Sequence, residues 1–403
     1  MSRRAAGGRL AARWIALDAD HWLEGGEIVW SAEGRIVSVR RARKGTRLED
    51  VAVMPGLVNA HVHLQLPALA QRPESFVPWI GAVLAARAAS TAADERRRIG
   101  AALVALTEEG CLAVGDIDST GTSTARLAGA DMRGRCYREL TGFHLDRAGA
   151  RALLRERPTL PRSRAATAGG YSPHAPYSVS AELFRAAVAT RAPLAIHCAE
   201  VPLEQQFLRT GRGPFAELLA RLGRLPPGFR APGMGAVRWL ERLGALTTRT
   251  QLVHCQELER GDVARIAQSG AAIVVCPGTI EYFGRTPPPV PKWLAAGIPV
   301  ALGTDSRASN TGLSLRREMA RALELWPGLT PVQVLAMATT NGARALCRPG
   351  LGRLRPGGHA DFCTLPAQAT VAATRDAVVA SGAMPTAVWV AGTQRVRSAR
   401  PRR

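Results

Sequence analysis

Between Val53 and Leu346 the chain repeats one texture, a short apolar run ending in polar residues and then a stretch with apolar residues at helical spacing. Eight such runs end near His61-Val-His63, Gly115-Asp116, Glu139-Leu-Thr141, Ser172-Pro-His174, His197-Cys-Ala-Glu200, His254-Cys-Gln256, Cys276-Pro277 and Gly303-Thr-Asp305. Helical candidates between them include 94–109, 181–190, 214–222, 260–269 and 315–325, and 331–346 reads as one last helix. This alternation is that of a parallel sheet with helical crossovers. Eight strand-then-helix units in one domain predict an α/β fold, a (β/α)8 TIM barrel over residues 54–346, with reactive groups at the C-terminal ends of its strands.

The flanks read differently. Ala12–Leu17, Glu27–Trp30 and Arg35–Val39, around a Glu33-Gly34 turn, are short strands, and strand texture returns at Asp361–Leu365 and Ala387–Ala391 on either side of an alanine-rich stretch. Segments 1–53 and 347–403 are therefore expected to pair into one small β-sandwich, with disorder after Arg397.

Composition narrows the function classes. Apolar runs such as Ala271–Cys276 stop far short of the roughly 18 residues a membrane span needs, and no leader pattern opens the chain, so a soluble cytoplasmic protein without a membrane partner is expected. The seven cysteines stand singly, without a C-x-x-C pair, and read as reduced thiols. A formal charge of +21 raises the question of nucleic acid. Its distribution argues against that partner: the positive charge is almost all arginine, spread over helical stretches and concentrated only at 40–44 and 395–403, with no nucleic-acid-binding motif. The expected partner is a small-molecule substrate, with a homodimer left open.

His61 and His63, two apart on a strand, point to the same side and can reach one ion, although such pairs are also ordinary polar side chains. His197, His254 and Asp305 each end a separate apolar run and would converge with them at one barrel mouth. Nitrogen and oxygen donors without a thiolate suit one divalent ion, zinc or iron. Glu200, three residues beyond His197, can shuttle protons beside such an ion; alone it would equally suit the first turn of a helix. The zinc base-deaminase pattern, the G-x-S-x-G elbow and the phosphate-binding loop are all missing.

Val53-Met-Pro-Gly-Leu-Val-Asn-Ala-His-Val-His63, the HxxE at His197, the His254 strand end and Gly303-Thr-Asp-Ser306 together resemble the amidohydrolase superfamily, in its cytosine and adenosine-derivative deaminase branch. The resemblance implies a divalent metal held by His61, His63, His197 and Asp305, with His254 orienting a hydroxide and Glu200 and Asp305 moving protons. Ser172–Ser180 is similar to the nucleoside-facing segment of methylthioadenosine, adenosylhomocysteine and aminodeoxyfutalosine deaminases. Leu302–Asn310 and Ser75–Ile80 look most like the aminodeoxyfutalosine group, which serves menaquinone synthesis. The implied reaction is hydroxide addition to C6 of an adenine-type nucleoside, protonation of N1 by Glu200, and loss of ammonia as Asp305 takes the hydroxide proton. Gln65, His174 and Glu200 are the expected substrate contacts, His174 having loop capping as its alternative role.

Three departures bear on the substrate. Gln65 stands where the group usually has glutamate, and restoring the carboxylate is expected to preserve or improve activity in an ordinary member. Cys276-Pro-Gly-Thr-Ile280 and Glu281 replace a common Cys-Pro-x-Ser-Asn, which puts altered contacts at that strand end. Arg307 replaces an apolar residue and either answers an acidic substrate group or faces outward. Hydrolysis of another amidine, chloro-heterocycle or cyclic amide on the same metal site is the alternative enzyme reading. A barrel that has lost its chemistry and serves in binding or assembly is the reading from another class.

Overall fold

The computed structural model describes residues 7–159, 166–380 and 382–397. The N-terminal segment gives β1 (Gly8–Ala16), β2 (Trp22–Trp30), β3 (Ile36–Arg41) and β4 (Glu49–Pro55). The barrel follows with β5 (Leu57–Val62), β6 (Cys111–Asp118), β7 (Arg133–Leu140), β8 (Thr167–Pro173), β9 (Leu194–Cys198), β10 (Thr250–His254), β11 (Ala272–Val275) and β12 (Val300–Leu302). The chain ends in β13 (Phe362–Pro366), β14 (Ala387–Val390) and β15 (Thr393–Arg397). The expected disorder after Arg397 concerns residues outside those described.

Strands β5 to β12 form an eight-stranded parallel sheet in sequence order. Every residue of these strands is buried, because helices cover one face and the barrel interior the other; this is why they read as apolar runs. β7 keeps three arginines by partnering each: Arg133 with Asp361 at 2.7 Å, Arg138 with Asp118 at 2.9 Å, and Arg135 with the carbonyl of Leu346 at 2.8 Å.

The seam that closes the barrel runs through the expected site. The amides of Thr304 and Asp305 donate to the His61 carbonyl at 3.0 and 3.1 Å, and the His63 amide donates to the Asp305 carbonyl at 3.1 Å. Gly303 permits this approach, since a Cβ there would lie 2.8 Å from the His61 carbonyl oxygen. At the other end the helix Thr340–Ala345 closes the floor, Ala345 packing with Ala60, Val253, Val274 and Ala301.

Both termini build one mixed sheet in the order β15-β14-β13-β4-β1-β2-β3. It has its own core of Ile15, Ile28, Trp30, Ile36 and Phe362, so both termini build one β module, as expected. The two ends meet where Trp30 Nε1 donates to the Gly392 carbonyl at 3.1 Å.

Some local expectations are corrected. Residues 331–346 form two helices, Pro331–Met337 and Thr340–Ala345, separated at Thr339 (φ −134°, ψ −91°), whose buried hydroxyl donates to the Leu335 carbonyl at 2.6 Å. Helix Phe76–Ala88 lacks a sequence signal because apolar residues surround it on all sides, leaving no polar face to set a period. Residues 277–283, read as a strand end, start a helix directly after β11. Among the described residues no single helix is long and apolar enough to cross a membrane.

Candidate metal and catalytic site

Each expected ligand sits at a strand end of the barrel mouth. The chain turns sharply there, with Ala199, His254, Cys255 and Asp305 all in the left-handed region (φ +50°, +75°, +53° and +55°). Such backbone costs energy and persists where packing over-determines it, which aims these side chains inward.

One donor atom from each of His61, His197, His254 and Asp305 lies within 4.8 Å of the other three. His63 joins them, its Nε2 being 3.4 Å from His197 Nε2 and 3.6 Å from Asp305 Oδ1. His61 Nε2 is 3.5 Å from the same carboxylate oxygen. The other oxygen, Oδ2, is held by the hydroxyls of Ser309 at 2.6 Å and Thr279 at 3.2 Å. Asp305 is thus oriented with Oδ1 toward the imidazoles. His197 is fixed in the same way: its Nδ1 lies 3.0 Å from the His174 carbonyl, so Nδ1 carries the proton and Nε2 faces the cluster as a lone pair.

This donor set fits a divalent cation. Among the described residues both ring nitrogens of His61 and Nδ1 of His63 are buried without a hydrogen-bond partner, an arrangement that is costly for a purely structural histidine. Burial pushes the imidazoles down, His61 to about 4 and His63 and His254 to about 3, so they are neutral at neutral pH, the form in which a ring nitrogen can bind an ion. Three nitrogens and a carboxylate oxygen make an open shell of the kind that holds zinc or a similar ion.

Glu200 faces the same cavity rather than the start of helix Pro202–Thr210. Its Oε2 lies 3.8 Å from His254 Nε2, and its Oε1 accepts from Arg285 Nη1 at 3.2 Å. Glu204 anchors its backbone by accepting from the Glu200 amide at 3.0 Å. Burial raises the Glu200 carboxyl, opposed chiefly by Arg285.

The cavity over this cluster has one polar and one apolar side. His63, His197, His254, Asp305, Glu200, Ser119, Glu139 and His174 line its floor. Phe76, Trp79, Ile80, Phe215, Leu218 and Leu219 form its apolar wall, Phe76 meeting Phe215 edge-on at 6.3 Å and Tyr177 stacking on Phe215 at 4.0 Å between ring centres. His174 also bonds through Nδ1 to Ser178 Oγ at 2.7 Å, so it caps its loop and lines the cavity at once.

Other expected contacts lie elsewhere. Gln65 is buried behind the floor, its amide nitrogen donating to the Ile117 carbonyl at 3.0 Å and to Ser119 Oγ at 3.2 Å, and it does not line the cavity. Nor do Ile280, Glu281 and Arg307: Ile280 enters the core, Glu281 pairs with Arg321 at 2.7 Å, and Arg307 is half-buried. Sequence reasoning missed Glu139 and Arg285. Glu139 ends a recognised strand, a usable signal; Arg285 has none, since its contact with Glu200 spans 85 residues of sequence.

The amidohydrolase family profile matches residues 52–394. An aminodeoxyfutalosine deaminase of Deinococcus radiodurans is 34% identical over 320 residues, 73% of each chain. A 5-methylthioadenosine/S-adenosylhomocysteine deaminase of Nitratidesulfovibrio vulgaris is 29% identical over 338 residues, 79% of this chain and 72% of that one. Among solved structures, an adenosine deaminase from Xanthomonas campestris with bound zinc superposes with a TM-score of 0.78 at 21% identity, covering 98% of this chain and 94% of that one.

Proposed function

Because the chain belongs to the amidohydrolase family, we propose that it is a metal-dependent aminohydrolase that replaces the 6-amino group of an adenine-type nucleoside with oxygen and releases ammonia. The nucleoside is of the aminodeoxyfutalosine or methylthioadenosine kind, the substrates named for its relatives. The observation that carries this reading is the placement of Glu200: a buried carboxylate that shares one cavity with the histidine and aspartate cluster and lies 3.8 Å from His254.

His61, His63, His197 and Asp305 would hold the ion, with zinc favoured by the donor set and by the zinc-bound deaminase of X. campestris. Such an ion supplies Lewis acidity and brings the pKa of water toward about 7. Glu200 then takes a proton from the attacking water and delivers it to purine N1 as the new C–O bond forms at C6. His254 orients the attacking oxygen. Asp305 receives the remaining hydroxyl proton and passes it to the amino nitrogen, so that the C6–N bond breaks with ammonia as the leaving group. His174 positions the nucleoside from the cavity floor, and the aromatic walls cover whatever the sugar carries.

Turnover of an adenine nucleoside in 18O-labelled water tests the reading. It requires one labelled oxygen in the hypoxanthine product for each ammonia released; an unlabelled product or a retained amino group overturns it.

A further inference from the structure

Glu139 ends β7 on the floor of the cavity, beside His174 and His63, and the chemistry above gives it no task. Its side chain is only 7% exposed and is held from behind. Oε2 accepts from Ser119 Oγ at 2.5 Å and lies 3.8 Å from Arg87 Nη1. The Ser119 hydroxyl can point only one way, because Gln65 donates to its oxygen at 3.2 Å. The backbone is pinned as well, Arg157 Nη1 donating to the carbonyls of Ser119 at 3.0 Å and Glu139 at 3.2 Å.

Among the described residues no hydrogen bond reaches Oε1 of Glu139. A buried carboxylate with one oxygen fixed and the other left to a ligand cavity is an acceptor that lacks donors. A nucleoside has such donors away from its reacting ring, in the adjacent hydroxyls of its sugar. With C6 at Glu200 and Asp305, the sugar is the part that remains for the Glu139 and His174 side of the floor.

We propose that Glu139 is the binding site for the sugar diol, its carboxylate oriented by Ser119, Arg87 and, through Ser119, Gln65. This rests on the deaminase reading above. The site selects nucleosides with free vicinal hydroxyls, and Glu139 is a substrate-positioning residue. A charge-assisted hydrogen bond of this kind corresponds to about tenfold to a hundredfold in kcat/KM.

The experiment compares an adenine ribonucleoside with its 2′,3′-dideoxy analogue on zinc-loaded wild type, Glu139→Gln and Ser119→Ala. Wild type is expected to prefer the ribonucleoside by about tenfold or more. In Glu139→Gln that preference collapses, chiefly through KM for the ribonucleoside, while metal content and turnover of the dideoxy analogue stay near wild type. Ser119→Ala, which keeps the carboxylate and loses its orienting donor, falls between the two. Equal use of both nucleosides by wild type, or full preference retained by Glu139→Gln, overturns the proposal. If ammonia is never released, the deaminase reading fails by itself. Calorimetric binding of the same two nucleosides to zinc-loaded Glu200→Gln then decides the diol site, a ribonucleoside preference supporting it and its absence overturning it.

Discussion

Arg285 Nη1 lies 3.2 Å from Glu200 Oε1, and its guanidinium carbon stands 4.3 Å from the ring centre of Phe283 and 5.3 Å from that of Phe76. The two rings fix the cation where a flexible side chain would otherwise drift, so Glu200 faces a permanent positive charge. Burial raises the Glu200 carboxyl and Arg285 opposes the rise. The same aromatic residue, Phe76, also lines the cavity, which couples this charge to the wall that covers the substrate.

Replacing Arg285 by methionine removes that opposition. The Glu200 carboxyl then rises further, and because the ionised form must accept a proton from water, the acid limb of the kcat/KM profile should move to higher pH. A pH profile that superposes on wild type contradicts this role.

Removal of the ion should leave a folded protein whose stability depends on pH in a defined window. Folded His61, His63 and His254 titrate at about 4, 3 and 3, against about 6.5 when unfolded. The unfolded chain therefore binds protons first, and stability is full above about pH 6.5 and declines as pH falls toward 4. Thermal melts of chelator-treated protein across this range check the sign; stability that rises on acidification is the opposite result. One divalent ion per chain should restore turnover and raise the melting temperature most at neutral pH, where the imidazoles are unprotonated.

Glu200→Gln keeps size and hydrogen bonding but loses the titratable group. Turnover should fall about a hundred- to ten-thousand-fold with metal content unchanged, as expected for lost acid-base catalysis. Asp305→Asn should reduce both metal retention and turnover, because it neutralises the anionic member of the donor set. Elemental analysis beside kinetics separates the two; identical metal content in both variants removes Asp305 from the ligand set.

Gln65→Glu separates two roles for position 65. In an ordinary aminodeoxyfutalosine-type deaminase with a tolerated substitution a carboxylate there preserves or improves activity, whereas in this chain the Gln65 amide nitrogen donates to the Ile117 carbonyl at 3.0 Å and Ser119 Oγ at 3.2 Å. Glutamate would lose both donors and set a second negative charge against the hydroxyl that already serves Glu139. Activity should fall about tenfold or more by loss of an oriented hydrogen bond to a charged group. The double variant Gln65→Glu with Glu139→Gln should recover part of it. Improved kcat/KM in the single variant contradicts this account of position 65.

The barrel and the residues clustered at its mouth are legible because fully buried strands must be apolar until the residue at which they reach the mouth, so a histidine or aspartate closing an apolar run carries positional meaning. His61, His63, His197, His254 and Asp305 were found in this way, and the structure gathers them into one cluster. Position 139 carried less contrast, since β7 is already interrupted by Arg133, Arg135 and Arg138, whose partners lie far away in sequence. Arg285 and the apolar helix Phe76–Ala88 gave no periodic or motif signal; each is defined by what it packs against. The break at Thr339 was equally hidden, because Thr339 is buried and the chain turns there to place the next helix under the barrel.

Deamination of adenine-type nucleosides by this cluster is a claim that ammonia release over a substrate panel decides. Zinc-loaded protein should convert aminodeoxyfutalosine-like and methylthioadenosine-like nucleosides to their hypoxanthine counterparts with one ammonia per product, and Glu200→Gln should abolish most of the signal. Turnover of a chloro-heterocycle, cyclic amide or other amidine, with every 6-aminopurine nucleoside untouched, would contradict the claim while leaving the metal site in place.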